Sequence, residues 1–85
     1  MTPEVGSISM EELVRFIAMS LVDAPEQVQV VSRQNERTVV LELTVAPDDM
    51  GKVIGKQGRI AKAVRKVLKA ASAKQGKNYV LEIIG

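Results

Sequence analysis

The chain has 85 residues, 46% of them hydrophobic and 26% charged, which suits one globular domain and not a disordered chain. It contains no cysteine and no histidine, which excludes disulfides, thiolate metal sites, thiol nucleophiles and the usual general base. The net charge is only +2 but is polarised: residues 1–50 hold three basic against nine acidic side chains, and residues 51–85 hold nine basic against Glu82 alone. Such asymmetry fits a half that faces a polyanion, or a helix with a solvated basic face; charge by itself leaves both readings open. No apolar run nears the ~20 residues of a membrane span and no signal-peptide pattern opens the chain, so a cytoplasmic protein with no membrane contact is expected.

The first element is a helix. Ser9 and Glu12 form a capping-box pair, with Ile8 and Leu13 placed as a hydrophobic staple. Met10, Leu13, Val14, Ile17 and Leu21 recur at helical spacing, and Asp23-Ala24-Pro25 stops the helix because a residue before proline avoids the helical region. Phe16, Met19 and Val22 fall toward the flanks or back of that stripe. Gln27 to Arg33 reads as a valine-rich strand, Gln34-Asn35-Glu36-Arg37 as a polar turn, and Thr38 to Val45 as a second strand with Val39, Leu41, Leu43 and Val45 on one face. Together they suggest an antiparallel hairpin.

Pro47-Asp48-Asp49 ends that strand and supplies caps for a short helix from Asp49 to Ile54. Gly55-Lys56-Gln57-Gly58 breaks it, and a long helix follows from Arg59 to Gln75. Its apolar stripe is Ile60, Val64, Val67, Leu68 and Ala71, with Lys62, Arg65, Lys66 and Lys69 opposite and Gly76 as the C-terminal cap. Asn78 to Ile84 alternates as a last strand. The expected fold class is α+β, in the order α-β-β-α-α-β, with a three-stranded mixed sheet and helices packed on one face. The second and third strands should be parallel, joined by a right-handed crossover.

The glycine turn carries the chemistry. Two glycines with two residues between them leave the backbone bare, so another chain can approach closely. The turn delivers the N-terminus of the long helix, whose dipole favours an anion, with Lys56 and Arg59 beside it. Such a seat suits a phosphodiester. A nucleotide-hydrolase loop is excluded: Gly51 and Gly55 have three residues between them instead of four, Gln57 stands where Ser or Thr would hold magnesium, and a helix precedes the loop instead of a strand. Asp48 and Asp49 read as caps and dipole partners, so no metal and no cofactor is expected. No catalytic constellation is visible.

The run Val-Ile-Gly-Lys-Gln-Gly-Arg-Ile at residues 53–60, with its flanking helices, resembles the signature of the KH RNA-binding domain. The resemblance covers about Met10 to Ile84 and is to the type II version, since type I carries a strand and a helix after the last strand. It implies residues 1–8 as an N-terminal tail and 9–85 as a single KH domain, of the KhpA-type family of small bacterial KH proteins. In KH domains the G-x-x-G loop clamps the backbone of about four nucleotides. The resemblance therefore implies that Gly55, Lys56, Gln57 and Gly58 grip phosphates. It implies that Ile54 and Ile60 floor the groove, that Arg59 and Lys62 meet the backbone, and that Leu41 to Leu43 form its other wall. Phe16 and Tyr79 are the only aromatics, so bases would be held by aliphatic contact and hydrogen bonds instead of stacking platforms.

The expected function is non-catalytic binding of single-stranded RNA, in bacterial post-transcriptional regulation. DNA remains open, because neither the turn nor the charges report on a 2′-hydroxyl. The family also implies pairing, as a homodimer or as a heterodimer with a larger Jag-type KH protein. The alternative is therefore a dimerisation module with a minor RNA role. Ala63, Ala70 and Ala73 form a ridge that would admit another helix, or simply reflect alanine's helix propensity.

Overall fold

The computed structural model describes residues 9–85; the Ile8–Leu13 staple and the 1–8 tail lie outside them. Helix α1 spans Met10–Leu21, and the Ser9 hydroxyl accepts the Glu12 N–H at 3.1 Å, so the expected cap forms. Strands β1 (Gln29–Asn35) and β2 (Thr38–Thr44) follow, then α2 (Met50–Ile54), α3 (Arg59–Gln75) and β3 (Asn78–Ile84). Short 3-10 turns occupy Pro25–Gln27, Pro47–Asp49 and Lys56–Gly58.

The sheet order is β1-β2-β3. β1 pairs antiparallel with β2 from Gln29↔Thr44 to Asn35↔Thr38, and β2 pairs parallel with β3 from Thr38↔Asn78 to Thr44↔Ile84. Pairing through Asn35↔Thr38 leaves a two-residue turn, Glu36-Arg37, shorter than the polar run suggests. Glu36 adopts φ +52° to make it. β1 also begins two residues later than expected, because Pro25 starts a 3-10 turn through Gln27.

The core lies between the sheet and the helices. Val39, Leu41, Leu43 and Val45 supply its centre, joined by Val30, Leu81, Val14, Ala18, Val53 and Leu68. Burying each large aliphatic side chain stabilises the fold by about 1.5–3 kcal/mol. Among the described residues the opposite sheet face carries no helix, and it exposes Val31, Val80 and Ile84 beside an Arg33–Glu42 ion pair of 2.8 Å.

Both long helices are rotated slightly from their expected stripes. In α1 the buried positions are Val14 and Ala18, while Leu21 reaches the surface. In α3 they are Ala61 and Leu68, and Val67 is 46% exposed. Small Ala61 and Ala18 face the core, and the larger apolar residues beside them fall on the flanks. There Ile17 and Leu21 of α1 meet Ile60, Ala63, Val64 and Val67 of α3 across an open apolar cleft.

Asp49 does not cap α2 as expected. Its side chain makes no bond to α2's own amides. The carboxylate, 2% exposed, accepts the amides of Asp23 at 3.2 Å and Ala24 at 3.1 Å, and the Lys52 ammonium at 3.2 Å. Lys52 also bonds Asp23 at 2.7 Å.

Candidate nucleic-acid interface

The turn between α2 and α3 is built from left-handed backbone. Gly55 takes φ +78°, ψ 169°, a region closed to side chains, and its N–H donates to the Gly51 carbonyl at 2.9 Å to close α2. Gln57 follows at φ +57° and Gly58 at φ +73°. A non-glycine residue there costs roughly 1–2 kcal/mol, so Gln57 is held in place by the two bends around it. The Gly58 N–H donates back to the Gly55 carbonyl at 3.1 Å. Among the described residues no side chain caps the start of α3, so its positive dipole end lies open at the turn.

Six of the eight expected site residues cluster on or beside this turn. Lys56, Gln57 and Arg59 are exposed, and Gly55 and Gly58 are half-buried. Lys62 lies one helical turn on, its Cε 3.9 Å from where a Cβ on Gly58 would stand. Ile54 and Ile60 are half-buried: Ile54 packs on the core, and Ile60 underlies Gly55 on the side facing α1. Arg59 also borders that cleft.

Lys62, Arg65 and Lys69 follow Gly58 at offsets of four, seven and eleven, so they form one stripe on α3. Arg65 and Lys69 line a cleft of about 270 Å³ with Asn78, Tyr79, Val80 and Leu81 of β3, and the Arg65 guanidinium reaches the Leu81 carbonyl at 3.5 Å. β3 is an edge strand, so one row of its peptide groups has no sheet partner. The expected second wall, Leu41 to Leu43, is corrected: Leu41 and Leu43 are 1% and 4% exposed in the central strand, beneath the helices. The wall beside the basic stripe is β3. Arg65 and Lys69 were legible as partners of Lys62 from their spacing, but β3 was not, because a sequence does not say which strand ends at the sheet edge.

Among the described residues no carboxylate pairs with Lys56, Arg59, Lys62, Arg65, Lys66 or Lys69. Lys52 is different. The hydrogen bonds its ammonium donates to the carboxylates of Asp23 and Asp49 raise its pKa against a smaller desolvation effect, so its charge is balanced within the protein. At Asp49, burial pushes the carboxyl up, but the amides of Asp23 and Ala24 and the Lys52 ammonium together outweigh it and hold the group below the ordinary value.

The profile of the KhpA/KhpB KH domain matches residues 11–83. The chain belongs to this family of KH domains. It is 60% identical over 75 residues to the RNA-binding protein KhpA of Clostridium acetobutylicum, covering 88% of this chain and all of that one. The RNA-binding protein KhpA of Clostridium perfringens is 61% identical over the same coverage, and that of Aquifex aeolicus 49% identical over 76 residues, 89% of this chain and 96% of the relative. Two solved structures of Era share the fold. Aquifex aeolicus Era Y63A bound to GDP and AlF4− superposes with a TM-score of 0.56 at 24% identity, over 87% of this chain and 29% of that chain. Era in complex with MgGDPNP and 16S ribosomal RNA nucleotides superposes at 0.57 and 23% identity, over 98% of this chain and 33% of Era. The chain thus spans about a third of each Era chain, and at these identities the likeness concerns the fold alone.

Proposed function

We propose that this KH-family chain is a non-catalytic binder of single-stranded RNA in the bacterial cytoplasm, with post-transcriptional regulation as its setting and residues 9–85 as one binding unit behind a tail of residues 1–8. One observation carries the reading: a glycine turn with Lys56 and Gln57 exposed opens onto the N-terminus of a 17-residue helix, and Lys56, Arg59 and Lys62 around it have no carboxylate partner among the described residues. Gly55, Lys56, Gln57 and Gly58 seat the phosphates, with Arg59 and Lys62 adding charge. Ile54 and Ile60 support the turn from below. The strand then runs along Lys62, Arg65 and Lys69 against β3, whose free peptide groups and aliphatic side chains face the bases. The names of the relatives, RNA-binding proteins all, agree with it.

Fluorescence anisotropy with a labelled oligouridylate tests the reading. Replacing Lys56 and Gln57 with Asp puts two carboxylates at the head of α3, and binding should disappear while circular dichroism stays unchanged. Retained binding would move the site elsewhere. A DNA oligomer of matching sequence in the same assay decides whether the 2′-hydroxyl is read.

The cleft between α1 and α3 favours a second role, pairing with a second copy. Its walls are almost wholly apolar, and Val67 within it is 46% exposed. Large exposed apolar patches mark interaction sites. The ridge of Ala63, Ala70 and Ala73 is exposed on α3, with Ala63 inside the cleft. Val67→Glu should convert a dimer into a monomer in sedimentation equilibrium, whereas Ala70→Glu, outside the cleft, should not. A wild-type chain that stays monomeric at high micromolar concentration would leave a larger KH protein of the Jag type as the partner to test by co-purification.

A further inference from the structure

The helix that presents the glycine turn is too short to hold itself. α2 has five residues, and isolated helices shorter than about 12 residues are marginal in water. Among its side chains only Val53 is fully buried. Met50 and Ile54 pack on the core beside it, and a polar anchor lies at the N-terminal end, where Asp49 grips the backbone at the exit of α1 through the amides of Asp23 and Ala24, and Lys52 closes the clamp between Asp23 and Asp49. Two of these partners lie 25 and 26 residues away in sequence, so the clamp joins distant segments instead of capping its own helix.

We propose that Asp49 is a positioning residue for RNA binding: its buried carboxylate fixes α2 against the exit of α1 and so sets the aim of the Gly55–Gly58 turn at the RNA backbone. The inference rests on the RNA-binding reading above. It also takes Lys52 out of the phosphate-binding set, although Lys52 stands only three residues before Gly55 in the basic half. Its ammonium is spent on two carboxylates. The core built by β2, α1 and α3 does not pass through Asp49, so loosening the clamp should mis-aim the turn without unfolding the protein.

Electrostatics and positioning predict opposite signs for Asp49→Asn. The substitution is isosteric, removes one negative charge and leaves Lys52, beside the turn, with Asp23 as its one carboxylate partner. Charge alone would tighten RNA binding. Positioning predicts weaker binding, because one amide of the α1 exit then faces an NH₂ group in place of an acceptor.

The experiment is oligouridylate anisotropy across a salt series for the wild type, Asp49→Asn and the charge-balanced pair Asp49→Asn/Lys52→Gln, each checked by circular dichroism. A smaller folded fraction scales affinity equally at every salt concentration and leaves the log–log slope unchanged. A mis-aimed turn loses phosphate contacts and makes the slope shallower by about 0.7 for each. The expected result is weaker binding in both variants with a shallower slope. Unchanged or tighter binding by Asp49→Asn overturns the proposal, as does a loss of affinity with the wild-type slope. If the Lys56/Gln57 double Asp variant binds like the wild type, the RNA reading itself falls, a result visible without any Asp49 variant.

Discussion

The Ile60 Cγ1 stands 2.7 Å from where a side-chain carbon on Gly55 would lie. The first turn of α3 therefore fills the space that a side chain at the first glycine of the bend would need. Gly55→Ala would meet that contact and also the Ile60 amide at 3.0 Å, in a backbone region that only glycine occupies. The expected loss is about 1–3 kcal/mol of stability from the backbone strain, read as a lower urea midpoint, with RNA binding weakened beyond the fall in folded fraction. Adding Ile60→Ala removes the side-chain contact but not the strain, so the double variant should recover little. Full recovery would show that the contact, and not the backbone, forbids a side chain there.

Gly51 predicts the opposite sign. It lies inside α2 with ordinary helical backbone, and a Cβ there would meet nothing within 4 Å. Gly51→Ala should raise stability by about 0.5–1 kcal/mol through reduced backbone entropy in the unfolded chain. Because the residue stands outside the Gly55–Gly58 bend, oligouridylate affinity should not fall. A urea midpoint at or below the wild-type value would contradict this.

Asp49 and Lys52 set the pH limits of stability in this region. The Asp49 carboxyl is held below its ordinary value of 3.8, so the clamp contributes fully above that pH and is lost as pH falls through the lower folded value. Lys52 is held above its ordinary 10.5, so its part is present below that pH and is lost as pH rises through the higher folded value. Urea midpoints measured against pH should show wild type and Asp49→Asn separated at neutral pH and converging in acid. A gap that stays constant into strong acid would show that the Asp49 charge does not contribute.

The sequence carried the α3 boundaries, the β3 boundaries and the Gly76 cap, because each is marked by local chemistry: a glycine break, a glycine stop and strict alternation. It also carried the Ser9 cap and the buried face of β2. Three features were not legible. The hairpin turn uses Glu36 in the left-handed region, where sequence signals lead one to look for Asn or Gly. Val67 faces the α1 cleft instead of the core, because small Ala61 takes the inward position and helical periodicity alone does not fix the rotation of the buried arc. Asp49 looks like a helix cap by its place before α2, and only the three-dimensional approach of Asp23 and Ala24 redirects its carboxylate. For the candidate site, the turn and its cations were written in residue types, while the β3 wall followed from strand order.

The stripe on α3 makes the sharpest test of where RNA lies. Lys62 and Lys69 share the side of the helix that borders the turn and β3, whereas Lys74 lies on a different side by helical spacing, and Arg33 is paired with Glu42 on the uncovered sheet face. Lys62→Gln and Lys69→Gln should each weaken oligouridylate binding and reduce the log–log salt slope by about 0.7 if each loses one phosphate contact. Lys74→Gln removes the same charge from the same helix, and Arg33→Gln removes it from the opposite face; both should leave the slope unchanged. All four substitutions alter net charge equally, so a general attraction to polyanions would move them together. A slope that falls by the same amount in all four would place the RNA in no particular groove, whereas separation into two pairs would trace its path from the glycine turn down the β3 edge.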